Sequence, residues 1–96
     1  MNKNYTELSD LRLKKNISTF NPKPIDVNWV TFEWKDDPQK RIQIGVIAQS
    51  LEHKHPEFVV CDPETGFKAV KQLQLLTAKV CELEHRIKQL EQHCKL

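Results

Sequence analysis

Glycine is scarce in this sequence, with two residues among 96, and aromatic side chains make up only 7% of the chain. Together with a charged fraction of 29%, this composition favours helices and exposed surface. A chain of this length is sufficient for one small domain with a thin hydrophobic core. We therefore expect an additional source of stability, and oligomerisation is one such source.

Cysteines are also few. Cys61, Cys81 and Cys94 fit neither an even-numbered disulfide framework nor a closely spaced metal site, so we expect reduced thiols in a cytosol. His53 and His55 lie two residues apart, which separates their rings on a helix, and no cysteine flanks them at zinc-site spacing. The sequence therefore predicts no metal site, and we expect no cofactor.

The chain lacks both a strong charge imbalance and a long apolar run. Its net charge is +2 and its basic residues alternate with acidic ones, so we expect no nucleic-acid partner. No apolar segment is long enough to span a bilayer, and the start has no basic and apolar leader, so we expect no membrane partner. Residues 1–8 are interpreted as the end of an upstream stem or as an added leader.

The middle of the chain shows a period of two. In "VNWVTFEWK", Val30, Phe32 and Trp34 fall on one face, and β-branched and aromatic residues dominate. The segment "RIQIGVIA" repeats the alternation with Ile42 and Ile44, after the turn-like "KDDPQK". These two runs predict a β-hairpin.

Three shorter elements are predicted around this hairpin. The leucines that follow Ser9 permit a helix from Ser9 to about Asn16, with Ser9 as a candidate N-cap, and "NPKP" at 21–24 ends that block. The segment "QSLEHKH" favours a short helix before Pro56. In "EFVVCDPETGFKAV", residues 62, 63 and 66 supply turn chemistry for a second hairpin.

The last block carries the clearest periodicity. Its apolar positions alternate three and four residues apart, as in the a/d seam of a coiled coil: Leu73, Leu76, Val80, Leu83, Ile87, Leu90 and Cys94. With Leu73 at position a, the g residues are Lys79 and Arg86. In a parallel neighbour they face Glu84 and Glu91, respectively, so both pairs attract. The seam predicts a parallel homo-oligomer of two or three strands, and the alternative is a single amphipathic helix packed on its own domain.

Four motifs that precede this seam occur in a recognisable order: "SDLRLKKNI" at 9–17, "VTFEWK" at 30–35, "IGVIAQSLE" at 44–52 and "HPEFV" at 55–59. Together with a terminal coiled coil, they resemble the intramolecular chaperone auto-processing domain. That family lies at the C-terminal end of bacteriophage tail spikes, endosialidases, tail fibres and neck appendages, and a relative occurs in a membrane-tethered animal transcription factor. The resemblance covers nearly the whole chain from Ser9 onwards.

The resemblance implies a homotrimer that helps a preceding fibrous or β-helical stem of the same polypeptide to fold and then releases itself. The implied scissile bond is Leu8–Ser9, with Ser9 as nucleophile and Lys14 as general base of a single-turnover serine endopeptidase. The resemblance also implies a location in the host cytoplasm during virion assembly and release from the mature virion after cleavage.

Supporting roles are expected for four polar residues. Asp10, Arg12 and Asn16 match the family motif around the serine and the lysine. Gln49 in "IAQ" is a candidate for polar support of the reaction, against the alternative of a cap or a backbone hydrogen bond. Relatives commonly carry an acidic residue where this chain has Ser50, so no role is transferred to that position.

The chemistry sets two conditions on the site. A lysine acts as a base only without its proton, and burial favours that neutral form, so we expect Lys14 to be desolvated at the trimer interface. On a continuous helix, five residues place two side chains about 140° apart. Ser9 must therefore lie at or before the helix start, or Lys14 must reach the serine of a neighbouring subunit.

The sequence thus predicts an α+β fold with a short N-terminal helix, small antiparallel β-hairpins and a long C-terminal helix in a parallel trimeric coiled coil. We divide it into an upstream segment at 1–8, a chaperone and auto-processing core at 9–70 and a coiled-coil helix at 71–96. One alternative is a trimerisation module of the same fold that never cuts itself. Another is a two-stranded regulatory module whose heptads bind a different helix.

Overall fold

A computed structural model describes residues 6–94, so residues 1–5 of the predicted upstream segment and the last two residues of the predicted helical block lie outside the described part. The fold is α+β, with two small antiparallel hairpins and a long C-terminal helix, as predicted. In chain order the elements are a 3-10 turn at Leu11–Leu13, β1 at Val30–Phe32, β2 at Gln43–Gly45, α1 at Ala48–Lys54, a 3-10 turn at Pro56–Phe58, β3 at Val59–Cys61, β4 at Lys68–Val70 and α2 at Gln72–His93.

The first predicted hairpin is confirmed, although its strands are short. β1 and β2 pair antiparallel with Val30 opposite Gly45 and Thr31 opposite Ile44. Because side chains alternate between the two faces of a strand, Ile44 lies on the same face as Thr31 and is 79% exposed. A Cβ added at Gly45 would lie 3.2 Å from the Phe32 ring, so the absence of a side chain lets the ring pack across the pair.

The second predicted hairpin is also confirmed. β3 and β4 pair with Val59 opposite Val70. In the turn, the Gly66 N–H donates to the Asp62 carbonyl at 2.8 Å, and the Asp62 N–H donates to the Phe67 carbonyl at 2.9 Å. Gly66 has a φ of +76°, a left-handed conformation that glycine adopts without strain. The turn chemistry read from the sequence therefore has the expected structural role.

The hydrophobic core is small and lies where both helices meet the chain that precedes β1. Its buried cluster consists of Ile25, Leu51, Leu75 and Ala78, and Leu75 on α2 is completely buried. Ile25 belongs to the strap, the name used here for residues 14–29, which contain no helix or strand. Within the strap Ile25 alone is buried, so this residue fixes the strap to the body of the domain.

The predicted helix from Ser9 to Asn16 is wrong. The structure has only the 3-10 turn Leu11–Leu13 in this region, and Asp10, not Ser9, is its N-cap. The turn ends because Lys14 is extended, with φ −115° and ψ 150°, and Asn16 has a φ of 55°. A left-handed residue does not continue a right-handed helix, and asparagine tolerates that conformation better than most side chains.

Helix α2 is confirmed, and it carries two separate apolar faces. One face buries Leu75 and Ala78 in the core. The other face is the seam, whose described leucine, valine and isoleucine side chains are all 40–62% exposed: Leu73, Leu76, Val80, Leu83, Ile87 and Leu90. The single chain therefore covers one face of α2 and leaves the seam open to solvent. None of the helices within residues 6–94 is long and apolar enough to cross a membrane.

Candidate functional site

The site is built on the 3-10 turn near the start of the described chain. The Asp10 carboxylate caps the turn by accepting the Arg12 N–H at 2.8 Å. The Leu13 N–H donates to the Asp10 carbonyl at 3.0 Å, and the Lys14 N–H donates to the Leu11 carbonyl at 3.1 Å. Since this is one turn between extended residues, the chain reverses over a short distance and brings its two ends together.

Ser9 and Lys14 meet across this turn within the same chain. Lys14 Nζ donates a hydrogen bond to Ser9 Oγ at 2.7 Å, although the two residues are five positions apart. A continuous α-helix would have separated these side chains by about 140°. The spacing is therefore compatible with contact because the turn is short and Ser9 precedes it, which is one of the two arrangements that the sequence allowed.

The Asp10 carboxylate forms its ion pair with Arg12 and not with Lys14. Two of the guanidinium nitrogens of Arg12 donate to the Asp10 carboxylate, at 3.1 and 2.9 Å. These bonds, followed by the backbone bond from Arg12, hold the pKa of Asp10 below its usual range, and the same pairing raises the pKa of Arg12. Asp10 thus stays ionised and bonded to Arg12, which leaves the Lys14 amine paired with a neutral hydroxyl.

The desolvation expected for Lys14 is not present in the single chain. Both Ser9 and Lys14 are exposed in the part of the chain that the structure describes. Leu8, on the other side of the Leu8–Ser9 peptide bond, is 86% exposed. The bond that the sequence singles out is thus flanked by exposed residues on both sides.

The remaining predicted support residues are only partly brought to the site. Asn16 ends the turn region through its left-handed backbone, with φ 55°. Gln49 lies exposed on α1, and among the described residues no hydrogen bond joins it to Ser9 or Lys14. The structure therefore groups Asp10, Arg12 and Asn16 with the Ser9–Lys14 contact, whereas Gln49 stays apart.

Sequence reasoning missed the residues that hold the strap in place. Glu82 on α2 is only 3% exposed, and its carboxylate accepts the Ile25 N–H at 3.1 Å. A charged residue seven positions after Leu75 and four after Ala78 lies on the buried face of α2, outside the seam. That position was the available signal, since a carboxylate on a buried helix face requires a partner.

No metal centre is formed by the part of the chain that the structure describes. Among residues 6–94, no three or more histidine, cysteine, aspartate or glutamate side chains come together in a group that could hold a metal ion. The described cysteines are unpaired, with Cys61 and Cys94 exposed.

Comparison with known proteins agrees with the motif order. No curated protein and no solved structure matched this chain. The family model described as chaperone of endosialidase, of peptidase family S74, matches residues 9–60. The matched segment begins at Ser9, includes Lys14, the strap, the first hairpin and α1, and covers more than half of the chain. The chain therefore belongs to the chaperone of endosialidase family of intramolecular chaperone domains.

Proposed function

We propose that this chain is a trimeric C-terminal chaperone domain that cuts itself from its upstream stem at the Leu8–Ser9 bond. The observation that carries the proposal is the 2.7 Å contact between Lys14 Nζ and Ser9 Oγ, next to an exposed Leu8. The family match, which begins at Ser9, supports the same boundary. Each chain would perform one cleavage and would not turn over other substrates.

The proposed reaction uses only the groups of the turn and one water molecule. A neutral Lys14 amine accepts the proton of Ser9 Oγ, and the oxygen attacks the Leu8 carbonyl carbon. The bond from that carbon to the Ser9 nitrogen breaks, and the nitrogen, which keeps its own proton, takes a second one from the Lys14 ammonium. Leu8 is then an ester on Ser9, and the Lys14 amine is neutral again. Water then hydrolyses the ester to a Leu8 carboxylate and a free Ser9 hydroxyl. The result is a stem that ends at Leu8 and a domain that begins at Ser9.

The open seam of α2 supports the proposed trimer. An apolar a/d stripe that is exposed along the whole helix is typical of coiled-coil helices without their partners. The charges beside the seam are partly engaged within the chain, since Lys79 Nζ lies 2.9 Å and Arg86 Nη2 lies 2.5 Å from the Glu82 carboxylate. Arg86 is 53% exposed at its side chain, compared with 18% for Lys79. In the proposed trimer, Arg86 is therefore more available than Lys79 to form an ion pair with a neighbouring chain.

Exposed apolar residues around the turn suggest how assembly would activate Ser9 and Lys14. Five large apolar side chains from the turn and the following strap are 56–86% exposed: Leu8, Leu11, Leu13, Ile17 and Phe20. A neighbouring chain that covers them removes water from the turn, and desolvation favours the neutral form of a lysine. The cut would then follow assembly, after the stem has been shaped.

The proposal includes the stem and the cellular setting. The upstream partner is a fibrous or β-helical stem of the same polypeptide, as in an endosialidase-type tail protein. Folding and cleavage would take place in the host cytoplasm during virion assembly, and the released domain would be absent from the mature virion.

The test is a time course of a chain that carries its native upstream stem, followed on a denaturing gel. The wild type should yield two bands, and Ser9→Ala should stay intact because it has no nucleophile. Lys14→Met should also stay intact, whereas the matched control Lys15→Met should be cut at the wild-type rate. Cleavage of Ser9→Ala at the same bond would overturn the serine assignment.

A second candidate function is a trimerisation module that does not cut itself. The observation in its favour is the exposure of Lys14, because a solvated ammonium is a poor base. This candidate predicts an intact wild-type chain in a sample that sedimentation shows to be fully trimeric. The proposed function predicts cleavage in that same sample.

A further inference from the structure

Glu82 is the buried charged residue of α2, and its carboxylate accepts a hydrogen bond from the backbone of the strap. Its Oε1 accepts the Ile25 N–H at 3.1 Å and a hydrogen bond from Lys79 Nζ at 2.9 Å. Lys79 Nζ also donates to the Ile25 carbonyl at 2.6 Å. The two side chains therefore bind both polar groups of one residue, while the Ile25 side chain is buried in the core.

The next residue of the strap is held by the end of α1. The Asp26 N–H donates to His55 Nε2 at 3.2 Å, and the Asp26 carboxylate accepts a hydrogen bond from Lys54. Four side chains from the two helical regions thus hold two consecutive strap residues. We call this arrangement the clasp: Ile25 and Asp26 with Lys54, His55, Lys79 and Glu82.

The clasp attaches the strap to the two helical regions at Ile25 and Asp26. Residues 14–24 of the strap contain no helix or strand and no buried residue, and they lead directly from Lys14 to Ile25. Ile25 is thus the first buried anchor of the chain after Lys14. The side chain of Glu82 is 4% exposed and lies on the helix that carries the seam, so this attachment connects the seam helix to the reacting turn.

We propose that Glu82 and Lys79 are positioning residues for self-cleavage: they fix the strap to the seam helix and so place the Ser9–Lys14 turn in the assembled trimer. This inference rests on the proposed function. Small displacements of reacting groups lower a rate strongly, by up to about 100-fold for 1 Å. Loss of the clasp should therefore slow cleavage even where folding and assembly are intact.

The electrostatics of the pair agree with a fixed arrangement. The hydrogen bond from Lys79 is the main cause that holds the pKa of Glu82 below its usual range, and the Ile25 N–H and the charge of Arg86 act in the same direction. Glu82 is thus ionised at neutral pH. A buried carboxylate that loses its partners is costly, whereas replacement of a whole buried ion pair by apolar side chains is often tolerated.

The test is the double variant Lys79→Met with Glu82→Leu in the full chain with its native stem. It removes both hydrogen bonds to Ile25 while it keeps apolar volume against the core. The matched control is Lys68→Met with Glu52→Leu, which removes the ion pair between β4 and α1 without touching the strap. Three quantities are measured on each protein: sedimentation mass, hydrogen exchange of the Ile25 amide, and the first-order rate of cleavage.

In the double variant we expect a trimer, about tenfold faster exchange at Ile25, and cleavage slowed by between about 10-fold and 100-fold. The control should match the wild type in all three. A double variant that is trimeric and cleaves at the wild-type rate overturns the clasp alone. A trimeric wild type that never cleaves overturns the proposed function, and this inference with it.

Glu82→Gln keeps the test decisive if the double variant fails to assemble. Its amide oxygen still accepts the Ile25 N–H, but it no longer neutralises Lys79. We expect a trimer with an intermediate cleavage rate, and full wild-type cleavage in this variant would overturn the positioning role of the charge.

Discussion

At the scale of single residues, the contact between Ser9 and Lys14 depends on backbone conformation. Ser9 and Lys14 meet at 2.7 Å because a single 3-10 turn separates them. Asp10 caps that turn and the extended Lys14 ends it, so two residues of the motif set its geometry. The same motif in a continuous helix would hold the hydroxyl and the amine apart.

The carboxylates of the clasp predict how stability depends on pH. Lys79 lowers the pKa of Glu82, and Lys54 lowers the pKa of Asp26, in the folded chain. A carboxylate with a lowered folded pKa contributes stability above its unfolded pKa, and this contribution is lost as the pH falls through the folded value. The contribution of these two carboxylates should therefore be fully present near neutral pH and fall below about pH 4.

The measurement is urea unfolding at a series of pH values for the wild type and Glu82→Gln. Glutamine cannot titrate, so the variant should lose less stability than the wild type between about pH 5 and pH 2. Identical pH profiles for the two proteins would show that the Glu82 carboxylate is not linked to folding.

At the scale of secondary structure elements, α2 has two apolar faces that differ in burial. Leu75 is completely buried against Ile25 and Leu51, whereas Ile87 on the seam is 56% exposed. Truncation of a buried leucine leaves a cavity and costs about 2–5 kcal/mol of the free energy of unfolding. Leu75→Ala should therefore destabilise the folded domain by this amount, as measured by chemical denaturation. Gln74→Ala is the neighbouring control, and an equal loss in the two variants would contradict the assigned core face.

The seam predicts a different outcome for substitutions on the other face. Ile87→Ser places a hydroxyl in the proposed trimer interface and removes an apolar contact from every chain. Sedimentation should show a shift from trimer towards monomer, while Gln89→Ser, two residues further and outside the seam, should stay trimeric. A trimer of unchanged stability in Ile87→Ser would contradict the heptad assignment.

Sequence patterns predicted the elements whose signals are local. The first hairpin and α2 follow from periods of two and about three and a half residues. The second hairpin follows from turn residues such as Gly66, which has a φ of +76°. The N-terminal helix was predicted wrongly because its leucines carried the signal, whereas the Asp10 cap and the Asn16 backbone decided the structure. Local sequence patterns could not predict the clasp, since the hydrogen bond from Ile25 to Glu82 joins residues 57 positions apart.

At the scale of the whole molecule, the single chain leaves apolar side chains exposed in two places. Its buried apolar core consists of Ile25, Ala48, Leu51, Leu75 and Ala78, while the seam and the apolar residues near Ser9 face solvent. Both open surfaces would be covered if three chains assembled around α2. The reacting turn is connected to that assembly through the strap and its clasp, so a trimer and a competent site would form together.

The most direct test of this account is the intact mass of a purified trimer that carries its native upstream stem, followed over time. The account predicts that the precursor is replaced by two products, a stem that ends at Leu8 and a fragment of residues 9–96 that begins at Ser9. Their summed mass should exceed that of the precursor by one water molecule. A precursor mass that stays unchanged in a verified trimer, or a cut at any other bond, would contradict the account.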